Sequence, residues 1–308
     1  MFARRRGPIG LGIIALTATA VLAGCAQGNP LDTGDGDADT ITIGSQGFPE
    51  SEILAQIYGQ VLEDAGYSVD YELSIGSREV FIQALADGSI DLIPDYAGNL
   101  LYGLDPEATA TSIEDIEAAL PDVLDENGLA VGVAAEAEDA DALVVTPGFS
   151  AANDVTSIGD LAKLNGAFTL GANTEFEDRP YGRKGLETVY GVTGYTFKAI
   201  DDYGGAGTLK DLLDGVIQVA DIYTTTPSVK QNDLVVLEDP ENLIAAQNVI
   251  PLFDKDAYDD EIGALLDAVS AKLTTDGLLD LNIEYNGDDK PSAATVATNW
   301  LQANGFLS

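Results

Sequence analysis

The chain has 308 residues, enough for two lobes of ordinary size, and carries 14 lysines and arginines against 52 aspartates and glutamates, a net charge of −38. Such a negative surface repels nucleic acids and anionic lipid headgroups, so neither is an expected partner. The lack of histidine and the single cysteine exclude histidine-based triads, the usual zinc sites and internal disulfides. We therefore expect no metal and no cofactor.

The N-terminal segment has the pattern of a secretory signal peptide. Residues 4–6 are arginines, an apolar stretch follows, and Leu22-Ala23-Gly24-Cys25 ends it. These four residues resemble the lipobox of bacterial lipoproteins, in which the signal is cut before a cysteine that carries diacylglycerol. We predict a signal peptide over residues 1–24 and a lipidated Cys25, the alternative being a cysteine near an ordinary cleavage site.

Residues 26–39 are small, turn-forming or acidic, with Leu31 as their one large apolar side chain. Such a segment buries too little apolar surface to fold, so residues 25–39 are predicted to be the lipidated cysteine and a flexible tether. The lipid would anchor the folded part outside the bacterial cell membrane. Loss of the signal removes three arginines and leaves 11 basic against 52 acidic residues, a net charge of −41.

From residue 40 onward, strand and helix patterns alternate along the chain. The helix pattern is clearest over residues 49–66, with Pro49 near its first position and Gly66 at its end. Such alternation predicts α/β lobes with mostly parallel sheets. The predicted strands cover residues 40–44, 68–74, 90–96, 129–135, 142–146, 167–172, 216–223 and 233–239. The predicted helices cover residues 49–66, 78–88, 157–164 and 209–215, and three more lie around 256–273, 276–283 and 292–304.

Four loops occupy the position where ligands bind in such sheets, beyond the carboxyl ends of the strands. They have the sequences GSQGF, DYAGN, GANTEFEDRPYGRKG and DIYTTTPS. No nucleophile stands beside a base in them, which favours binding without catalysis. These loops hold Gln46, Tyr96, Asn99, Arg179, Tyr181, Tyr223 and several threonines.

Five blocks of the sequence carry a family resemblance. They are ITIGSQGFPESEILAQIYGQVLEDAGYSVD, ALADGSIDLIPDYAGNLLYG, TEFEDRPYGRKGLETVYGV, VADIYTTTPSV and LVVLEDPENLIAAQNVIPL. In this order they resemble the substrate-binding proteins of osmoprotectant ABC importers, the glycine betaine, choline and carnitine family, and the similarity covers residues 40–308. The resemblance implies a type II periplasmic-binding-protein fold, whose two lobes close on a small quaternary amine before docking on an ABC permease.

The resemblance also implies how the lobes are divided along the chain. The first lobe would be discontinuous, over residues 40–143 plus 248–308, and the second would cover residues 144–247. Strand-like crossings near residues 142–146 and 247–252 would form the hinge. A monomer is expected.

By similarity to this family, Tyr96 and Tyr223 would form opposing walls of an aromatic cage around the ligand's quaternary ammonium group. Asn99 and Gln46 would donate hydrogen bonds to the ligand's carboxylate, and Arg179 would reach it from the second lobe. Each residue also has an ordinary structural explanation. The tyrosines could be packing residues, Asn99 a helix N-cap and Gln46 a solvated loop residue, while Arg179 could pair with an acid in its own loop, namely Glu175, Glu177 or Asp178.

Two positions depart from the family's pattern. Where some members place further cage tyrosines, this chain has Asp141 and Gln247. A cage of two tyrosines is thinner, and Asp139 or Asp141 would compensate by facing the cation. The ligand therefore stays open between glycine betaine, choline or carnitine and another small cation or zwitterion, such as an amino acid.

Two other classes of function stay open on sequence grounds. An exported enzyme would need paired carboxylates such as Asp91 and Asp95, although no acid and base can be assigned to them. A sensor or adhesion module would need a fused domain or a partner. The sequence favours a binding protein without turnover.

The strong negative charge generates a first prediction about stability. We expect the protein to unfold at a lower temperature in dilute buffer than in about 1 M sodium chloride, because salt screens repulsion between like charges over distances beyond about 3 Å at that concentration. Thermal unfolding at both salt concentrations measures the difference. Equal midpoints would contradict the prediction.

Overall fold

The computed structural model describes residues 40–307, so the predicted signal peptide, Cys25 and the tether lie outside the described residues. Two five-stranded sheets with flanking helices make up this part of the chain. The strands are β1 (Thr40–Gln46), β2 (Ser68–Gly76), β3 (Leu92–Tyr96), β4 (Leu129–Val131), β5 (Leu143–Val145), β6 (Thr169–Ala172), β7 (Thr196–Ala199), β8 (Val219–Asp221), β9 (Val235–Val236) and β10 (Val249–Asp254).

Eleven α-helices and two 3-10 helices accompany these strands within residues 40–307. The α-helices are α1 (Pro49–Asp64), α2 (Arg78–Ala86), α3 (Ala97–Leu104), α4 (Ile113–Asn127), α5 (Pro147–Asn153), α6 (Arg183–Tyr190), α7 (Ala206–Leu213), α8 (Pro227–Gln231), α9 (Asp260–Ser270), α10 (Thr275–Tyr285) and α11 (Ala293–Ala303). The 3-10 helices are Ile158–Leu164 and Thr174–Asp178. The α/β class predicted from the sequence is confirmed.

Both sheets have the same arrangement of strand directions. Their strand orders are β2-β1-β3-β10-β4 and β7-β6-β8-β5-β9. The first three strands of each sheet are parallel, and the fourth, β10 or β5, runs antiparallel to both of its neighbours. Each of these antiparallel strands follows a passage of the chain from one sheet to the other. We call the elements around the first sheet the first lobe and those around the second sheet the second lobe.

The two segments that cross between the lobes pair with each other. The carbonyl of Val249 accepts from the Ala135 amide at 2.8 Å, and the Val249 amide donates to the Ala137 carbonyl at 2.9 Å. The Asp139 amide donates to the Gln247 carbonyl at 3.1 Å. This paired connection lies beside the crossings predicted from the sequence. The hinge and the residue limits of the lobes stay predictions.

The core residues follow the two-residue period of strands. Leu92 and Ile93 of β3 belong to hydrophobic clusters on opposite faces of the first sheet. In β5, Leu143 and Val145 pack on one face of the second sheet and Val144 packs on the other. Because successive strand side chains point in opposite directions, this pattern buries both faces of each sheet under helices. Because both faces are apolar, the polar side chains of the strands lie mainly at the strand ends, where the two lobes meet.

Some predicted elements are shorter or of another type in the structure. The strand predicted over residues 129–135 is regular only to Val131, and beyond it the chain keeps irregular backbone hydrogen bonds to β10 as it approaches the crossing. The strand predicted over residues 216–223 is confined to Val219–Asp221, since the residues after it form part of the cleft between the lobes. The helix predicted over residues 157–164 is a 3-10 helix.

Helix α4 is absent from the predicted elements. It contains Pro121, which removes a backbone hydrogen-bond donor from the helix interior. Ile116, Leu120 and Leu124 nevertheless share one buried face, and the Ser112 side chain accepts from the first turn. Packing of this apolar face therefore outweighs the cost of the proline.

Candidate functional site

A cleft lies between the two lobes, where β1, β3 and β8 end. The space between its walls is about 590 Å³, a figure that includes solvent open to the outside. Loops after parallel strands of both sheets reach it, as expected for an α/β fold. The residues that line it are Gln46, Phe48, Ser77, Arg78, Tyr96, Asn99, Asp139, Asp141, Asn173, Glu175, Phe176, Arg179, Tyr181, Tyr203, Asp221 and Tyr223.

Seven of the eight binding residues predicted from the sequence line this cleft. They are Gln46, Tyr96, Asn99, Asp139, Asp141, Arg179 and Tyr223. The eighth, Gln247, is fully buried and lies behind the wall. Its Oε1 accepts from the Asn99 amide at 3.0 Å, so it supports the first turn of α3. The roles of all eight in binding stay predictions.

Aromatic rings form one continuous wall of the cleft. Phe48, just before α1, lies at the centre of this wall, with its ring centroid 6.1 Å from Tyr96, 5.5 Å from Tyr203 and 5.7 Å from Tyr223. Tyr203 and Tyr223 belong to the second lobe, so this cluster spans the gap between the lobes. The wall therefore contains Phe48 and Tyr203 besides the two tyrosines of the expected cage. The cage itself stays a prediction.

The backbone of Tyr203 is strained. Its φ of 55° lies in the left-handed region, which a bulky side chain rarely adopts. The Tyr203 amide donates to Asn173 Oδ1 at 2.9 Å, which holds this conformation. Backbone strain of this kind concentrates at ligand sites, and here it directs an aromatic ring into the cleft.

A buried pair of carboxyl groups, Glu50 and Asp139, lies at one end of the aromatic wall. Glu50, in the first turn of α1, accepts from the Tyr96 hydroxyl at 2.7 Å. Its other oxygen accepts at 2.6 Å from Thr225 of the second lobe and at 2.6 Å from Asn282 of the first. Burial, and then the nearby Glu50 charge, raise the pKa of Asp139 well above its usual range.

A second pair of carboxyl groups, Asp141 and Asp221, lies in the same cleft. Asp141 Oδ2 accepts from the Tyr181 hydroxyl at 2.8 Å and from Asn99 Nδ2 at 3.3 Å. Burial, and then the adjacent Asp141, raise the pKa of Asp221 well above its usual range. Negative charge in this part of the cleft is therefore costly unless a proton or a ligand cation balances it.

The first lobe contributes a buried ion pair to the floor of the cleft. Arg78 donates from Nε to Asp95 Oδ2 at 3.0 Å, and its Nη2 contacts Asp95 Oδ1. Gln46 Nε2 also donates to Asp95 Oδ1, at 3.1 Å. Burial alone would lower the pKa of Arg78, but attraction to Asp95 and hydrogen bonding with it outweigh burial, so the pKa lies above its usual value.

Arg179 reaches across from the second lobe to the first. Its Nη1 lies 3.3 Å from Glu79 Oε1, and this is the ion pair that it forms in the structure. Of the acidic residues in the same loop, Glu177 pairs with Arg183 at 2.7 Å instead. The alternative that Arg179 pairs within its own loop is therefore wrong, because the side chain crosses the gap between the lobes.

Several side chains of the site were not among the candidates predicted from the sequence. Phe48, Arg78, Tyr203 and Asp221 line the cleft, and Glu50 accepts a hydrogen bond from Tyr96 at its edge. Phe48 and Asp221 lie within the quoted strand-end loops, so their positions carried a signal. Glu50 resembles an ordinary acidic residue in the first turn of a helix, and Tyr203 lies in a loop that was not predicted. The sequence therefore carried no signal that either residue belongs to the site.

The carboxylates considered for catalysis have structural partners. Asp95 is bound to Arg78, and Asp91 Oδ2 accepts from the Thr42 amide at 2.7 Å. Four positions along a strand separate them by about 13 Å, which is beyond either spacing used in glycoside hydrolysis. Their arrangement gives no support to the enzyme alternative.

Comparison with known proteins gives consistent results. The family described as the substrate-binding domain of ABC-type glycine betaine transport systems matches residues 39–303. The chain is 25% identical over 283 residues to the glycine betaine-binding protein YehZ of Escherichia coli, covering 87% of this chain and 92% of YehZ. It is also 25% identical over 307 residues to the carnitine transport binding protein OpuCC of Listeria monocytogenes, covering 96% of each.

A solved structure confirms the fold. The crystal structure of a glycine betaine/carnitine/choline ABC transporter protein superposes with a TM-score of 0.70 at 20% identity, covering 87% of this chain and 100% of that one. Within residues 40–307, we find no helix with the length and hydrophobicity of a membrane span.

The buried ion pair generates a second prediction. Asp95→Asn should lower the free energy of unfolding by about 3–5 kcal/mol, because it leaves the Arg78 charge buried without its partner. Denaturant titration measures the loss. As a matched control, Glu79→Gln breaks the more exposed pair with Arg179 and should cost about 1 kcal/mol or less. Similar losses for the two variants would contradict the prediction.

Proposed function

The chain belongs to the family of substrate-binding domains of ABC-type glycine betaine transport systems, and from this premise we propose that it delivers a quaternary amine osmoprotectant to an ABC importer. The solute class is glycine betaine, choline or carnitine, as in the names of its relatives. The observation that carries the proposal is the cleft between the lobes, in which a wall of aromatic rings lies beside buried carboxyl groups. The resemblance seen in the sequence blocks is confirmed by the family match.

The chemistry of the cleft fits a trimethylammonium group. Such a group has no N–H to donate, so it is held by the faces of aromatic rings and by carboxylates at a distance. Phe48, Tyr96, Tyr203 and Tyr223 supply the rings, and Asp139 supplies a carboxyl group beside them. Rings from both lobes would contact the cation together only when the lobes are closed.

Closure of the lobes explains how binding can be signalled to a permease. Thr225 of the second lobe bonds to Glu50 of the first, and Arg179 pairs with Glu79 across the gap. A ligand that contacts both lobes favours the closed arrangement by its differential affinity for that state. We propose that the permease distinguishes the closed protein from the open one, and that the protein acts as a monomer.

We also propose that Cys25 carries a lipid anchor and that residues 26–39 tether the binding domain outside the cell membrane. The support is the sequence Leu22-Ala23-Gly24-Cys25, the apolar stretch before it and the acidic tether after it. A lipid-anchored receptor would stay close to its permease, which raises its effective concentration there.

The aromatic cage generates a third prediction. Tyr223→Ala should weaken choline binding about tenfold or more, because the cation loses one aromatic face and the wall is left unfilled. Tyr223→Phe is the matched control and should bind almost as the wild type does, since the ring face remains. Isothermal calorimetry measures both, and thermal unfolding checks that each variant is folded. Wild-type affinity in Tyr223→Ala would exclude Tyr223 from the cage.

The anchor generates a fourth prediction. Cys25→Ser should be released from cells in soluble form, whereas the wild type should stay in the membrane fraction, because only the thiol accepts the lipid. Fractionation and mass spectrometry of the N-terminal peptide distinguish the two forms. An unmodified Cys25, or equal release of both proteins, would contradict the anchor and leave the binding function in place.

A further inference from the structure

This inference rests on the proposed function and concerns the charge of the solute. We propose that Asp221, with Asp141 and Asn99, makes the cleft select an organic cation that bears a hydroxyl group over a zwitterion that bears a carboxylate. Choline is the probe for the first class and glycine betaine for the second. Both contain the same trimethylammonium group, so the aromatic cage alone distinguishes them poorly.

The balance of charge in the cleft favours a cation. Two guanidinium groups line it, and each already has an acidic partner: Arg78 pairs with the buried Asp95, and Arg179 pairs with Glu79. Neither therefore brings an uncompensated positive charge to a ligand carboxylate. Asp141 and Asp221 lie side by side in the same cleft, and among the described residues neither forms an ion pair. A cation relieves this excess of negative charge, whereas a carboxylate adds to it.

The hydrogen-bonding groups of the cleft favour a ligand hydroxyl. Asp221 is 6% exposed, and its Oδ1 has no hydrogen-bond partner within the described structure. Asn99 uses its Nδ2 to donate to Asp141, and its Oδ1 is buried and also without a partner there. Both unpartnered atoms are acceptors. A ligand hydroxyl can donate to either of them, but a ligand carboxylate cannot.

Buried acceptors of this kind discriminate strongly between ligands. A polar group that stays unpaired after the ligand excludes water costs the complex its desolvation free energy. Choline can satisfy one acceptor through its hydroxyl and neutralise the adjacent charge through its ammonium group. Glycine betaine satisfies neither acceptor and brings its own negative charge close to Asp221.

Proton release provides an independent readout. The ionisable groups that face Asp221 are Asp139 and Asp141 from the crossing segment, Tyr181 from the loop before α6 and Tyr223 from the loop after β8. The Ala142 amide favours the charged form, but burial and Asp141 outweigh it and raise the pKa of Asp221. A bound cation lowers that pKa again, so choline binding should release a proton and should strengthen as the pH rises.

The experiment is calorimetry of choline and glycine betaine with the wild type, Asp221→Asn and Asp154→Asn. The wild type should bind choline about tenfold or more tightly than glycine betaine, a difference of about 1.4 kcal/mol or more. Asp221→Asn should weaken choline about tenfold and bring the two affinities close together. Asp154→Asn removes the same charge from an exposed position of the second lobe and should bind as the wild type does.

Proton release needs no variant, so the test survives if Asp221→Asn fails to fold. Calorimetry of the wild type in two buffers of different ionisation enthalpy should show protons released with choline. An unchanged preference in a folded Asp221→Asn, tighter binding of glycine betaine than of choline, or choline binding without proton release would overturn the charge selection while leaving the proposed function intact. Binding of neither solute to the wild type would overturn the proposed function itself.

Discussion

Carboxyl groups held away from water between two lobes are the constraint on which the rest of this structure depends. Glu50 and Asp139 form one such pair, and Asp141 and Asp221 form another. Buried negative charge is unfavourable unless protons, hydrogen-bond donors or a cation compensate it. Glu50 is compensated by three side-chain donors, but Asp221 is not. A positive charge would therefore be favourable beside Asp221, whereas at Glu50 hydrogen bonds already compensate the carboxylate and link the two lobes.

The aromatic wall and the carboxyl groups act together. Rings bind a trimethylammonium group without requiring it to donate a hydrogen bond, and nearby carboxylates add an attraction that is strong because water is excluded. Tyr96 contributes to both, since its ring contacts Phe48 and its hydroxyl donates to Glu50. The Tyr203 ring completes the wall through a strained backbone, which indicates that packing around the cleft specifies its position.

The sequence predicted the parts of this site that depend on strand ends. Gln46, Tyr96 and Tyr223 all lie where the α/β pattern places ligand-binding loops, because the carboxyl ends of parallel strands meet at one edge of a sheet. Asp221 begins one of these strand-end loops, but its sequence did not distinguish this carboxyl group from other acids. Among 52 acidic residues, its burial and its contact with Asp141 depend on the packing of two lobes, which no local pattern encodes.

Other features of the structure were also not predicted from the sequence. Helix α4 was not predicted because Pro121 interrupts its helical pattern. The Arg78–Asp95 pair joins residues 17 positions apart, which come together only in the folded sheet. The Arg179–Glu79 contact spans 100 positions and both lobes, so the choice of partner was not accessible from the loop sequence. Periodicity predicts which face of an element is buried, but it does not predict which polar side chains meet between lobes.

A crystal structure of the domain with choline bound would test this arrangement of rings and carboxyl groups most directly. We expect the ammonium group within about 6 Å of the ring centroids of Tyr96 and Tyr223, with the hydroxyl donating to Asp221 or Asn99. Choline bound outside the aromatic wall, or with its hydroxyl directed at Arg179 and its ammonium group remote from every carboxylate, would contradict it.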